Sequence, residues 1–316
     1  MLKRLIVLLL VIFSLSFILI IFIYKPLIDE KPTVTVVLKD LDSEYWRIVE
    51  AGLRKGFLDF GIEGEIIAPT NLSFLEQIDL LESVLIENPD ILIISPMYPH
   101  YSIPTLERFI EKEIPVFLLD TDHQWENKTT YIGTDNVALG RRAGALLGSE
   151  LQPGNEVAII GVDLYSQDAS ERIKGAKLNL EAAGIEIVAE KVNVYSEPLK
   201  VKEEIEMILE AHPKVKGIMA TNDELALIAF EVIEEHGLKM PIIGADGMND
   251  MIELIEEGEL SGTVAQNPYD MGYLSVETVK KVINGENVEK HIDSGVDIII
   301  KGNAKQRVEF QKRLLK

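Results

Sequence analysis

The sequence predicts an α/β protein of two doubly wound parallel-sheet lobes joined by a hinge, preceded by an N-terminal transmembrane helix. Short β-branched runs alternate with amphipathic stretches at intervals of roughly 25–30 residues, and the apolar runs are nearly continuous, as in parallel strands covered on both faces. A length of 316 residues suits about two domains. A helical stretch in 135–154 interrupts this regular alternation of strands and helices, which favours a second lobe over one long sheet.

The chain opens with an apolar segment from Leu5 to Ile23, interrupted only by Ser14 and Ser16. Roughly 20 apolar residues span a bilayer, whereas the apolar core of a secretory signal needs about 7–15. No small-residue cleavage site follows, and the preceding Lys3 and Arg4 favour a cytoplasmic N-terminus. The pattern predicts an uncleaved signal anchor over 1–24 and a linker over 25–32, with a cleaved signal peptide as the less favoured alternative.

Strands are predicted wherever an apolar, β-branched run ends in turn-forming residues. The predicted strands are 33–38, 63–69, 91–95, 115–120, 155–161, 185–192, 217–221, 241–246 and 262–266.

Helices are predicted where apolar residues recur at helical spacing between these strands. The predicted helices are 43–60, 73–88, 136–150, 170–183, 198–211, 223–236, 248–257 and 270–284. Gly184 and Gly237 end two of them, as helix C-caps prefer. Asp223 or a neighbour is the predicted N-cap of the helix that follows "ATN", and if Asp223 supplies the cap, Asn222 is free for another role. The basic tail after 300 is predicted as a strand with a short helix or a frayed end.

The composition excludes several classes of function. Lys and Arg total 31 against 52 Asp and Glu, a net charge of −21 that disfavours a nucleic-acid partner. The chain has no Cys, and its His residues show no metal-ligand spacing, so no metal or cofactor is expected. The nucleophile-elbow, HExxH, P-loop and GxGxxG motifs are all absent, so the sequence does not predict an enzyme.

Polar residues follow strand after strand along the chain. Because parallel strands present their carboxyl ends at one edge of a sheet, these residues are expected to meet at a binding site, although each alone could simply form a turn. These candidates are Asp40, Ser95, Asp120, Thr121, Asn222, Asp246 and Gln266.

Other candidates lie on or beside helices. Arg172 falls in the first turns of a helix, where the helix dipole disfavours a cation, so it is expected to reach a ligand or to pair with Asp168 or Glu171. Tyr45 and Trp46 could cover a ligand or simply pack in the core. Carboxylates, amides, a guanidinium and aromatic faces form a set suited to sugars.

The motifs "SERIKGA", "GIMATNDELALIA", "IIGADGM" and "GTVAQNPYDMG" occur in this order. With them the chain resembles periplasmic sugar-binding proteins of the ribose-binding type, the solute-binding proteins of ABC transporters, from residue 33 to about 300. The resemblance implies the type I periplasmic-binding fold, with an N-terminal lobe of 33–134 and 267–295 and a C-terminal lobe of 135–266 and 296–316. It implies sugar contacts from Arg172, Asn222, Asp246 and Gln266, a first-lobe carboxylate at Asp120, and an aromatic clamp of Tyr45 and Trp46.

The resemblance implies a membrane-tethered extracytoplasmic protein that closes its lobes around a monosaccharide and presents it to an ABC permease. A sugar sensor that signals to a membrane histidine kinase is the alternative, and residues 5–23 are expected to contact the bilayer in either case. Thr121 replaces the arginine that the family usually has after its first-lobe aspartate, which leaves a pentose and a hexose both open. The loop "DLDSEYW" resembles xylose-binding relatives and favours a pentose. Repressors of the same fold carry an N-terminal helix-turn-helix, whereas this sequence predicts a membrane anchor there, and its net charge of −21 also disfavours repression.

Overall fold

The computed structural model describes residues 32–161, 167–191 and 198–315. Its strands are β1 (Thr33–Val37), β2 (Glu63–Ile67), β3 (Ile91–Ile94), β4 (Val116–Leu119), β5 (Thr130–Gly133), β6 (Glu156–Ile160), β7 (Glu186–Lys191), β8 (Val215–Ala220), β9 (Ile242–Asp246), β10 (Gly262–Gln266), β11 (His291–Asp293) and β12 (Val296–Ile299).

Helices separate most of these strands along the chain. They are α1 (Glu44–Phe60), α2 (Phe74–Glu87), α3 (Pro99–Glu111), α4 (Asn136–Ser149), α5 (Gln167–Ala182), α6 (Pro198–Ala211), α7 (Asp223–Glu235), α8 (Asn249–Glu257), α9 (Pro268–Ile283) and α10 (Ala304–Leu314).

The strands form two six-stranded sheets, one in each lobe. The first sheet has the order β11-β5-β4-β3-β1-β2 and the second the order β12-β10-β9-β8-β6-β7. The strand pairs are parallel except that β12 runs antiparallel to β10. The predicted pair of doubly wound α/β lobes is therefore confirmed.

Each sheet is covered by helices on both faces, which explains why its strands read as continuous apolar runs. All residues of β3 and β4 are buried. In the first lobe, α1 and α9 cover one face and α2 and α3 the other. Gly52 allows α1 and α9 to approach closely, since a Cβ at this position would lie 2.0 Å from the backbone oxygen of Tyr269.

The chain crosses between the lobes after β5, after β10 and between β11 and β12. These crossings are hydrogen-bonded to one another. The Thr134 hydroxyl donates to Gln266 Oε1 at 2.7 Å, and the Ser294 backbone N–H donates to the Gly133 oxygen at 2.7 Å. The crossings therefore form a hinge whose segments are hydrogen-bonded to one another beside the ends of β5 and β10.

Some elements differ from the prediction. Four elements were not predicted from the sequence: α3, which carries Pro104 inside it, and the short strands β5, β11 and β12, of three or four residues each. The basic tail after 300 forms the regular helix α10, and no strand lies within its described residues. The predicted membrane anchor lies outside the described residues. Within the described ranges, no helix is long and apolar enough to cross a membrane.

Candidate functional site

A cavity of about 380 Å³ lies between the lobes, at the carboxyl ends of their strands. Ligands of open α/β sheets bind at this edge. The cavity is lined from both lobes, and it brings together most of the residues predicted from the sequence. These are Tyr45, Trp46, Asp120, Arg172, Asn222, Asp246 and Gln266.

Two aspartates face the cavity from equivalent positions in the two lobes. Asp120 directly follows β4 and Asp246 ends β9, and these strands occupy the same place in the order of their sheets. Both have a positive φ, 65° at Asp120 and 115° at Asp246, a conformation that is uncommon for residues other than glycine. Such strain persists where the surrounding structure fixes it, and it concentrates at binding sites.

Asp246 is held in place by two donors on one of its oxygens. Arg172 Nη1 lies 2.8 Å from Asp246 Oδ1, and Gln266 Nε2 donates to the same oxygen at 2.7 Å. Burial raises the pKa of Asp246, and the Arg172 guanidinium opposes that rise. Asp246 Oδ2 accepts no hydrogen bond from the described residues, so it can accept one from a ligand.

Arg172 reaches the cavity from the first turns of α5. Its Nε donates to Asn136 Oδ1 at 2.8 Å, and Nη1 also donates to the Thr221 backbone oxygen at 2.7 Å. The guanidinium is therefore buried and fixed in one orientation. Its position depends on close packing of α4 against α5, because a Cβ at Gly140 would lie 1.9 Å from the Arg172 oxygen. The carboxylate that pairs with this cation is Asp246, across the second lobe, and not a neighbour on the same helix.

The Asp120 carboxylate is also held by neighbours. The Tyr45 hydroxyl donates to Oδ1 at 2.6 Å, and Lys39 Nζ lies 3.1 Å from Oδ2. Tyr45 is also 3.5 Å from Gln266 Oε1, so it links the two lobes. Burial, together with the Asp120 charge, raises the pKa of Tyr45 and keeps the phenol a donor. Trp46 packs edge to face on Tyr45, with the ring centroids 5.2 Å apart.

The predicted candidates Asp40, Ser95 and Thr121 do not line this cavity. The Asp40 carboxylate accepts hydrogen bonds from the Asp42 and Ser43 backbone N–H groups, and so shapes the loop before α1. Ser95 directly follows β3 and is fully buried. Thr121 turns away from the cavity, and its hydroxyl oxygen accepts a hydrogen bond from Lys39 at 2.6 Å.

The N-cap of α7 is Asn222, the neighbour of Asp223, so Asn222 is not spare as it would have been with Asp223 as the cap. The Asn222 side chain accepts from the Leu225 backbone N–H at 2.9 Å, while Asp223 lies fully buried in the first turn. Asp223 instead accepts from the Gly247 and Met248 backbone N–H groups at 2.7 Å each. It therefore supports the loop after Asp246, and burial raises its pKa, with the Asp246 charge adding to the rise.

Six further polar residues line the cavity and were not among the predicted site residues: Ser43, Glu44, Asn136, Asp168, Thr221 and Gln311. Glu44, Asn136 and Asp168 lie at helix N-termini, a signal that could have identified them. Gln311 carried no such signal, since it reaches the cavity from the C-terminal helix. Its Nε2 donates to the Gly247 oxygen at 3.0 Å, and its buried Oε1 has no hydrogen-bond partner among the described residues. Burial, with a smaller contribution from the Asp120 charge, raises the pKa of Asp168 to about 6.

Comparison with known families gives one match that covers most of the chain. The family described as periplasmic binding protein domain matches residues 34–287. This range includes the predicted site residues of both lobes and ends before the C-terminal helix that carries Gln311.

Individual relatives are similar over nearly their whole length. The ribose import binding protein of Haemophilus influenzae is 26% identical over 267 residues, which cover 84% of this chain and 91% of the relative. The D-allose-binding periplasmic protein of Escherichia coli is 26% identical over 249 residues, 75% of this chain and 80% of the relative. Among solved structures, GanP, a glucose-galactose binding protein from Geobacillus stearothermophilus, has a TM-score of 0.78 at 28% identity and covers 87% of this chain and 99% of its own.

Proposed function

Because the chain belongs to the periplasmic binding protein family, as its sequence motifs predicted, we propose that it binds a monosaccharide, a pentose or a hexose, between its lobes. One observation carries the proposal: Asp120 and Asp246 face a single cavity from equivalent strand ends of the two lobes, beside a buried, oriented Arg172. On this proposal the chain is a solute-binding protein and not an enzyme. The sugars that its relatives are named for, ribose, allose, glucose and galactose, support this ligand class.

The polar groups of the cavity match the hydrogen-bonding pattern of a sugar. Ionised carboxylates only accept, so Asp120 and Asp246 take hydrogen bonds from hydroxyl groups, whereas the guanidinium of Arg172 only donates. Gln311 Oε1 adds an acceptor, and hydroxyls, which both donate and accept, can satisfy every member of this set. Trp46 and Tyr45 supply an apolar wall for the C–H face of the ring.

Closure of the lobes is part of the proposal, because the cavity is complete only when both lobes contribute to it. A cross-cleft contact supports this. Glu44 of the first lobe accepts from the Asn249 backbone N–H at 3.2 Å and from Asn249 Nδ2 at 2.7 Å. Asn249 begins α8, whose N-cap residue Met248 makes no side-chain cap hydrogen bond. Glu44 therefore caps a helix of the opposite lobe and favours the closed state.

We place the bound sugar at the entrance of an ABC permease outside the cytoplasm, which the ribose import relative supports by its name. We further propose that the segment from Leu5 to Ile23 tethers the protein to the membrane as an uncleaved anchor. Mass spectrometry of the membrane-bound protein tests the tether: an intact N-terminus is expected, and a mature N-terminus between residues 24 and 33 would overturn it.

Calorimetry on the full-length protein tests the sugar-binding function. A panel of pentoses and hexoses should include at least one ligand with a dissociation constant near 1 μM, about −8 kcal/mol. Affinity should change little with salt, because the hydroxyls are neutral. Binding of amino acids, with no response to any sugar, would overturn the proposal.

A further inference from the structure

A second cavity of about 450 Å³ adjoins the first at the rim of the cleft. It lies between the loops that follow β3 and β4 in the first lobe and the start of α5 in the second, and Asp168 lines both cavities. We propose that this second cavity binds the second ring of a disaccharide whose first ring lies between Asp120 and Asp246. The inference rests on the proposed sugar-binding function and extends it from a monosaccharide to a two-ring ligand.

A single ion pair, between Lys39 and Asp120, separates the two cavities. Asp120 lines the first cavity, whereas Lys39 and Thr121 line the second. Lys39 Nζ lies 3.1 Å from Asp120 Oδ2 and donates to Thr121 Oγ1 at 2.6 Å, so the residues on the two sides are in direct contact. A ligand that hydrogen-bonds Asp120 and Asp168 in the first cavity therefore has an immediate neighbour site past Lys39.

The wall of the second cavity carries exposed aromatic rings. Tyr98 and Tyr101 line it and are 57% and 59% exposed. Phe74 stacks on Tyr101 with the ring centroids 5.2 Å apart, and meets Tyr98 edge to face at 5.6 Å. Clustered, exposed aromatics mark a binding surface more often than scattered apolar side chains do. Rings fixed by mutual packing offer a preorganised apolar face to the C–H side of a sugar.

The polar groups of the second cavity favour a neutral ring. His100, His123 and Thr121 offer groups that can donate or accept, and Lys39 offers a donor. Asp122 and Asp168 also line the cavity, and these carboxylates disfavour an anionic ligand such as a uronic acid or a sugar phosphate. A neutral sugar ring with several hydroxyls satisfies this mixed set and also suits the tyrosine faces.

Calorimetry on the full-length protein tests the proposal with matched pairs of sugars. Each pair joins a monosaccharide to a disaccharide that contains it: xylose with xylobiose, glucose with maltose and cellobiose, and galactose with lactose and melibiose. At least one disaccharide is expected to bind about tenfold more tightly than its monosaccharide, which corresponds to covering roughly 60 Å² of apolar ring face.

Variants then locate the second ring. Tyr101→Ala should weaken the preferred disaccharide about tenfold and leave the monosaccharide within about twofold, because only the disaccharide reaches this wall. Leu75→Ala is the matched control: Leu75 is exposed on the same helix as Phe74 but does not line the cavity, so both affinities should be unchanged. The melting temperature of each variant reports its folding.

Each result separates this inference from the proposed function. If monosaccharides bind and no disaccharide binds more tightly, the second-ring site is wrong and the sugar-binding function stands. If Tyr101→Ala weakens the monosaccharide and the disaccharide equally in a folded protein, the second ring does not contact Tyr101 and the inference is also overturned. If no sugar binds, neither in these pairs nor in the wider panel of pentoses and hexoses, both proposals fail together.

Discussion

Replacing Asp246 by asparagine separates a ligand-binding carboxylate from one that only forms a turn. Asparagine tolerates positive φ and makes similar turns, so the backbone at 115° is retained. Asp246 Oδ1 accepts from Arg172 at 2.8 Å and from Gln266 at 2.7 Å, so the amide oxygen of the introduced asparagine should take this place. The NH₂ group then occupies the position of Oδ2 and faces the cavity.

The size of the effect follows from this geometry. A sugar hydroxyl that donates to Oδ2 meets a donor in the variant, and a hydrogen bond to a charged group is worth about 1.5–3 kcal/mol. The dissociation constant should therefore rise roughly tenfold to more than a hundredfold. Stability should also fall, because the buried Arg172 loses its charged partner; retention of the amide oxygen limits that loss to about 1–3 kcal/mol.

Calorimetry with the best-bound sugar, together with thermal unfolding without ligand, measures both effects. Asp250→Asn is a matched control, since Asp250 is an exposed residue in the first turn of α8 and does not line the cavity. Its affinity should equal that of the unmodified protein. An unchanged affinity in folded Asp246→Asn would refute the reasoning and leave Asp246 as a turn residue.

Three further predictions concern Arg172, Asp168 and the cross-cleft contact. Arg172→Lys should weaken sugar binding at least about tenfold by calorimetry, because a point charge cannot reproduce the guanidinium contacts to Asn136, Thr221 and the ligand. An affinity within about twofold of that of the unmodified protein would contradict a role of Arg172 in ligand binding. The pKa of Asp168 is raised from 3.8 to about 6 by burial, so the folded state binds more protons between these values. The contribution of Asp168 to the free energy of unfolding is therefore fully present below pH 3.8 and is lost as the pH rises through about 6. The loss amounts to about 1–3 kcal/mol. The melting temperatures of Asp168→Asn and the unmodified protein should therefore agree near pH 4, and by about pH 8 the variant should melt at the higher temperature. A constant difference between the two melting temperatures at every pH would argue against a raised pKa of Asp168. Asn249→Ala should raise the sugar dissociation constant about two- to tenfold, because its side chain donates to Glu44 across the cleft and this hydrogen bond is expected to break when the lobes separate. Faster sugar release in stopped-flow fluorescence is the expected cause. An unchanged release rate would exclude the contact from closure.

The sequence by itself determined the two-lobed architecture and the edge at which the site lies. Near-continuous apolar runs separated by amphipathic helices require parallel sheets covered on both faces, and parallel strands bring their carboxyl ends together. For this reason Asp120 and Asp246, each at the end of such a run, could be assigned to one site without knowledge of the contacts between them. Arg172 was identifiable because a cation early in a helix needs a partner.

Only the tertiary structure decided which polar residues face the cavity and which support it. Asp40 lies in the loop after β1 and Asp246 ends β9, yet the Asp40 carboxylate accepts hydrogen bonds from its own loop, while Asp246 pairs with Arg172, 74 residues away in sequence. Asn222 and Asp223 are neighbours of similar capping propensity, and the burial of Asp223 beside the Gly247 and Met248 N–H groups assigned the cap to Asn222. Gln311 lies far from the other site residues in the sequence, and only the docking of the C-terminal helix onto the second lobe brings it to the cavity. Local pattern fixes periodicity and strand ends, whereas side-chain partners across a cleft depend on how the chain crosses the hinge and how its helices pack.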